Sequence, residues 1–270
     1  MASAPSWVTC RRMPLHLRYS ASTHRGYQRD NNEDSVYAGP RLLALADGMG
    51  GHAAGEVASS LVIAELAPLD ERDPGDDVLA ELREAVARAN AAVRRHVDDN
   101  PDLDGMGTTL TALLFTGDSL GLVHVGDSRA YLLREGLLQQ ITKDETMAQA
   151  LIDEGRLTPE EARSHPGQAL VMRALTGREL QPVLQEREVK AGDRYLLCSD
   201  GVSDVLSPDA LTDALRIEDP QKCAFELLPR AMRAGTRDNV TCIVAHVTER
   251  DYGYNVPIVG GAASPDPAPP

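Results

Sequence analysis

Cysteine is scarce in this chain of 270 residues: Cys10, Cys198, Cys223 and Cys242 form no CxxC pair, and no His/Cys set has zinc spacing. A zinc site and a disulfide scaffold are thereby disfavoured, and a reducing compartment is expected, with Cys198 and Cys242 acting as small hydrophobes inside apolar runs. Positive charge is also sparse. Twenty-seven Lys and Arg stand against 41 Asp and Glu, a formal charge of -14 with a pI near 4.9. Nucleic acid and anionic membrane surfaces are poor partners for such a chain, because counterion release needs clustered Lys and Arg. There is no run of 18 apolar residues, and no hydrophobic stretch follows Arg11 and Arg12 as it would in a signal peptide, so the chain as given reads as soluble. No internal repeat is visible. With 42% hydrophobic residues, the chain can bury one large core.

Periodicity divides the chain into a leader at 1–14, a body at 15–248 and a Pro/Ala-rich linker or tail at 249–270, which is expected to have no core to join. Leu15–Ser22 alternates apolar and polar as a half-buried strand does, and Ser35–Ala38 with Leu42–Ala46 reads as a strand pair across Gly39-Pro40. Helical spacing marks 52–66 and 78–97. Strand runs follow at 109–116, 120–125, 128–133 and 137–141, then at 182–189, 193–199 and 240–247, with helices at 208–215 and 221–233. Between them, 144–177 is polar and carries only a narrow apolar face at Ala148, Leu151 and Ile152, as an inserted flap would. Strands in two groups, each flanked by helices, predict an α+β fold with two packed, largely antiparallel sheets and helical outer layers.

Aspartate is what these strands have in common. Leu42–Ala46 runs into Asp47-Gly48, Gly121–Gly126 into Asp127, and Tyr195–Ser199 into Asp200-Gly201, while Asp238-Asn239 leads into Val240–Val247. Each aspartate alone is an ordinary turn residue. Four of them at strand ends predict convergence on one place, where anions repel unless a hard divalent cation lies between them. Oxygen-only ligands point to Mg²⁺ or Mn²⁺. The Gly48 carbonyl can join Asp47 in that role. Upstream, Arg29 followed by Glu33-Asp34 offers a planar fork for phosphate beside acids that can hold water on a metal. A competing pattern exists: Gly48-Met-Gly50-Gly-His-Ala53 with Asp70 about twenty residues on fits a dinucleotide fingerprint. Strand pairing around it, rather than βαβ alternation, and Asp47 where a pyrophosphate must approach argue against that reading.

Six ordered motifs, Arg29-x-x-x-Glu33-Asp34, Ala46-Asp47-Gly48-x-Gly50-Gly51, Gly105-Met-Gly107-Thr108-Thr109, Val125-Gly126-Asp127-Ser128-Arg129, Cys198-Ser199-Asp200-Gly201 and Asp238-Asn239-Val240-Thr241, carry a resemblance over residues 15–248. The chain resembles the metal-dependent serine/threonine protein phosphatases of the protein phosphatase 2C family, and looks most like its bacterial PstP-type members. The resemblance implies a four-layer α-β-β-α sandwich with a flap. It implies two Mn²⁺ or Mg²⁺ ions bridged by Asp47, with the Gly48 carbonyl and a water on Glu33 completing one, Asp200 and Asp238 holding the other, and Asp127 with Asp200 a possible third. Such ions, about 4 Å apart, activate a bridging water for in-line attack on phosphoserine or phosphothreonine. Arg29 would grip the phosphate, Asp34 would orient water or Arg29, and Asp204 could assist.

The implied partners are phosphorylated proteins, including bacterial Ser/Thr kinases that the enzyme would oppose; no nucleic acid partner is implied. The implied state is a cytoplasmic monomer, with a membrane tether only in a longer form. An inactive phosphoprotein-binding relative is the alternative, disfavoured because each matched ligand position keeps its carboxylate. Two positions depart from the family pattern. Met49 stands where some members have a His general acid, which leaves that acid unassigned, with water and His52 as candidates. Ala169 stands where some relatives offer a Ser oxygen to the third ion. The Gly107-Thr108-Thr109 stretch is expected to be a packed strand entry.

Overall fold

The computed structural model describes residues 14–50, 54–72, 75, 77–162, 165–253 and 256–264. In chain order the elements are β1 (His16–His24), β2 (Asp34–Ala38), β3 (Leu42–Met49), α1 (Ala54–Leu66), α2 (Val78–Asp99), β4 (Gly107–Thr108), β5 (Leu110–Phe115), β6 (Ser119–Val125), β7 (Arg129–Arg134) and β8 (Leu137–Gln140). Then follow α3 (Met147–Asp153), α4 (Pro159–Ala162), β9 (Val183–Glu188), β10 (Arg194–Cys198), α5 (Asp200–Ser203), α6 (Pro208–Leu215), α7 (Pro220–Arg233), β11 (Val240–Thr248) and β12 (Ile258–Gly261). One sheet has the order β1-β11-β10-β7-β8 and the other β12-β2-β3-β5-β6-β9, with β4 paired to β3. Every strand pairing is antiparallel.

The strands read as continuous apolar runs because both of their faces are covered, and period-two alternation assigns each residue to a layer. On β3, Leu42, Ala44 and Ala46 pack under α1 and α2, while Leu43 and Leu45 face the opposite sheet. On β11, Val240, Cys242 and Val244 face α6 and α7, while Ile243, Ala245 and Val247 join Leu43 and Leu45 between the sheets. Three apolar layers therefore separate four structural ones, the α-β-β-α sandwich that the sequence predicts. Helix α2 turns Val78, Leu82, Ala85, Val86, Ala89 and Val93 inward at three- and four-residue spacing, and Asp77 caps it by accepting from the Ala80 N–H at 2.9 Å.

The tail expectation needs correction. Instead of a linker over all of 249–270, Ile258–Gly261 adds an edge strand to β2. The outer edge of β2 presents unpaired N–H and C=O groups, and pairing satisfies them while Ile258 packs on the layer between the sheets. Asp70 is also reassigned. It is buried and accepts from Tyr37 Oη (2.9 Å), Arg41 N (2.7 Å) and Leu42 N (2.8 Å), so it holds the β2–β3 turn and has no ribose-binding role. The helix start at His52 lies outside the described residues. Residues 144–177 form short helices between β8 and β9, tied to the body by bridges at Thr146–Val171 and Thr108–Leu175. Among the described residues no helix is long and apolar enough to cross a membrane.

Candidate metal centre

Antiparallel pairing brings the C-terminal ends of β3, β6 and β10 to the same edge of the sandwich as the N-terminal ends of β2, β5, β7 and β11. The aspartates at those ends meet there. Asp34 sits directly across from Asp47 in the β2–β3 register, so the two side chains share a face. Asp127 lies in the turn between β6 and β7, Asp200 opens α5 after β10, and Asp238 precedes β11.

Electrostatics report the convergence. Burial pushes the Asp47 carboxyl well above its ordinary range, and the charges of Asp34, Asp200, Asp127 and Asp238 push it further. Asp200 is raised in the same way, by burial and then by Asp127, Asp238, Asp204 and Asp34. Asp127 is pushed up to about 7 by burial, then by Asp144 and Asp204. Asp34 rises to about 6 through burial, opposed by hydrogen bonds from Thr241 and Ser199. Burial also raises Glu33, with Arg29 opposing and Glu56 adding. A set of acids that each favour the proton over the charge is a set in which a cation would be favoured over the proton.

Neighbouring residues hold these carboxylates. Thr109 Oγ1 accepts from the Asp47 N–H (3.0 Å), and both the Thr109 N–H and the Thr108 hydroxyl donate to the Asp47 carbonyl at 2.9 Å. The Gly107–Thr109 stretch is thus a strand entry, and its job is to fix the Asp47 backbone. The Asn239 side chain accepts from Glu33 N (2.8 Å) and donates to the carbonyls of Arg25 (3.0 Å) and Asn31 (2.8 Å), pinning the 25–33 loop to the start of β11. Ser199 Oγ donates to Asp34 Oδ2 at 3.0 Å. Gly48 and Gly201 are glycine for close approach: a Cβ would collide with the carbonyls of Gly55 and Glu33 in one case and of Asn239 in the other. Asn239 and Ser199 stood in the motifs without a role, since their partners lie 206 and 165 residues away.

Arg29 is exposed at the rim and its guanidinium donates to Asp238 Oδ2 at 2.7 Å, so it pairs with a predicted ligand and does not contact Asp34. Asp204 is exposed nearby, Met49 lies beside the flap end at Val171–Thr176, and Ala169 is an exposed residue of the flap. Among the described residues, no three His, Cys, Asp or Glu side chains are posed closely enough to grip an ion as they stand. Asp238 is turned to Arg29 and Asp34 to Ser199, so the fold supplies converging charge in place of a finished cage. The donor set nevertheless fits a hard divalent cation. All the donors are oxygens, and Asp34 Oδ1 is buried with no hydrogen-bond partner among the described residues.

Comparison with known proteins agrees with this geometry. The family model described as Protein phosphatase 2C matches residues 23–233. The chain is 61% identical over 255 residues to the serine/threonine protein phosphatase PstP of Mycobacterium tuberculosis, covering 94% of this chain and 50% of that protein, so it spans about half that relative's length. Protein phosphatase PhpP of Streptococcus pneumoniae is 33% identical over 246 residues, covering 87% of this chain and 99% of that one. A crystal structure of M. tuberculosis PstP superposes with a TM-score of 0.85 at 62% identity, covering 86% of this chain and 98% of that one. The PstP catalytic domain in complex with two manganese ions superposes at 0.83 and 61% identity, covering 87% and 99%. With the fold, the ordered motifs and these matches in agreement, the chain belongs to the protein phosphatase 2C family.

Proposed function

We propose that the chain is a Mn²⁺- or Mg²⁺-dependent protein serine/threonine phosphatase. The carrying observation is the mutual electrostatic pressure among Asp34, Asp47, Asp127, Asp200 and Asp238 at one edge of the sandwich, with a guanidinium at its rim. In this reading Asp47, the Gly48 carbonyl, Asp200 and Asp238 hold two cations, and Asp127 with Asp200 offers a weaker third position. When bound, the cations lower the pKa of water and neutralise charge on the phosphoryl oxygens. Glu33 and Asp34 accept hydrogen bonds from water at the floor of the site, and the orphaned Asp34 Oδ1 is placed for that role. Arg29 stays cationic, its pKa raised first by the hydrogen bond to Asp238, and can pass from that carboxylate to a phosphate. Met49 has no proton to give, which leaves water and His52 as the candidates to protonate the leaving oxygen.

The substrates in this reading are phosphorylated proteins, Ser/Thr kinases among them. The catalytic unit is 15–248 together with the edge strand Ile258–Gly261, acts as a monomer on the cytoplasmic side, and carries its flap at 144–177. Phosphate release from a phosphothreonine peptide, measured with Mn²⁺, with excess EDTA, and with Asp238→Asn, tests it. Release that requires Mn²⁺ and is lost in the variant is expected. A folded wild type that releases no phosphate with Mn²⁺ or Mg²⁺ would sink the proposal.

A further inference from the structure

His124 is fully enclosed on β6, and no step of the proposed chemistry uses it. It faces Thr111 of β5 in register, in the layer between the sheets. Its two ring nitrogens point to different parts of the molecule. Nδ1 lies 3.0 Å from Thr111 Oγ1, and Nε2 lies 3.0 Å from the carbonyl of Lys143, the residue just before the flap. From Thr111 a line of buried polar groups continues to the site. Thr111 Oγ1 is 2.9 Å from the Ser128 carbonyl, Ser128 Oγ is 2.7 Å from Thr109 Oγ1, and Thr109 Oγ1 accepts from the Asp47 N–H at 3.0 Å. Four buried polar side chains in a row are costly unless each is satisfied, and an apolar residue at 124 would fill the same volume without that demand.

Resting on the phosphatase reading above, we infer that His124 is a positioning residue whose imidazole joins the flap hinge to the strand that carries Asp47. Burial favours the neutral ring, against the pull of Glu145 and Asp144 on the hinge side. A neutral ring donates to the Lys143 carbonyl as the Nε2–H tautomer, and the single Thr111 hydroxyl proton is then shared between Nδ1 and the Ser128 carbonyl. The hinge is held a second time at Glu145. Its N–H donates to the Gly126 carbonyl at 2.8 Å and its carboxylate accepts from Gly126 N at 3.1 Å, beside Asp127. At its N-terminal hinge the flap is thus held by Glu145 next to Asp127, by the Arg129–Asp144 ion pair at 2.6 Å, and by a line of hydrogen bonds that runs through His124 to Asp47.

The two limbs can be cut separately. The amide of Asn reaches the position of Nδ1, and that of Gln the position of Nε2. His124→Asn keeps the Thr111 limb: Mn²⁺ affinity by calorimetry should stay within about twofold of wild type, while hydrogen exchange at 142–146 accelerates and KM for a phosphothreonine peptide rises. His124→Gln keeps the Lys143 limb: hinge exchange should stay at the wild-type rate, while Mn²⁺ affinity falls about tenfold or more. Thr111→Val should reproduce the Gln result, and it keeps the test available if either His124 variant fails to fold. Folded variants with wild-type affinity and exchange would overturn the inference. So would variants that lose both properties alike with a lowered Tm, as a packing residue would. Wild-type enzyme measured alongside separates the two failures, because Mn²⁺-dependent release by wild type leaves the phosphatase reading intact whatever the variants do.

Discussion

Chelating the metal should make this protein less stable as the pH rises through neutrality. Asp127 is 7% exposed and Asp34 0%, with carboxyls pushed up to about 7 and about 6 by burial, against about 3.9 in an unfolded chain. Between those values the folded state holds protons that the unfolded state has released. The slope of stability with pH is then negative: the contribution is fully present below about pH 4 and is lost as pH climbs through the folded-state values. From pH 5 to 7.5 the loss for the two groups is on the order of 4 kcal/mol, roughly two-thirds of it from Asp127. For a domain of this size that corresponds to a fall in Tm of about 10 °C. Thermal unfolding followed by circular dichroism in EDTA at the two pH values measures the fall, to which the buried Asp47 and Asp200 carboxyls add in the same direction, and Asp127→Asn should make it smaller by the Asp127 share. Saturating Mn²⁺ should flatten the wild-type dependence, since a cation then compensates the charge that protons compensate at pH 5. If Asp127→Asn and wild type lose the same Tm between pH 5 and 7.5, the burial argument is wrong.

Other outcomes follow from individual contacts. Arg29→Ala should reduce kcat/KM for a phosphopeptide by about 10–100-fold, the value of a charge-assisted hydrogen bond to phosphate, while calorimetric Mn²⁺ affinity changes far less; an unchanged kcat/KM would remove Arg29 from the phosphate site. Ser199→Ala removes the hydroxyl that donates to buried Asp34 Oδ2 and accepts from Thr241 N, and should cost about 1–3 kcal/mol in urea unfolding; a neutral result would mean that water takes over those bonds. Ile258→Ala tests the edge strand: a loss of about 2 kcal/mol is expected if β12 packs on the inter-sheet layer, and none if 249–270 behaves as a linker.

Local patterns carried much of the fold and of the site. Period-two and period-3.6 spacing located the strands and helices, because each depends on neighbours a few residues away. The strand-end aspartates and Gly48 were legible for a related reason: a carboxylate at the mouth of an apolar run must emerge at the sheet edge, whichever strand lies beside it. The tertiary structure alone decided which groups would face one another. The Arg29–Asp238 pair spans 209 residues, the Ser199–Asp34 bond 165 and the Asn239–Glu33 bond 206, and each depends on the register between strands that no local pattern encodes. β12 was missed because four residues beside a Gly/Pro-rich stretch carry little strand signal, and their partner is an unsatisfied edge far back in the chain. His124 could not be singled out for the same reason: a histidine in an apolar strand takes on its role only when Thr111 and the Lys143 carbonyl are folded to either side of its ring.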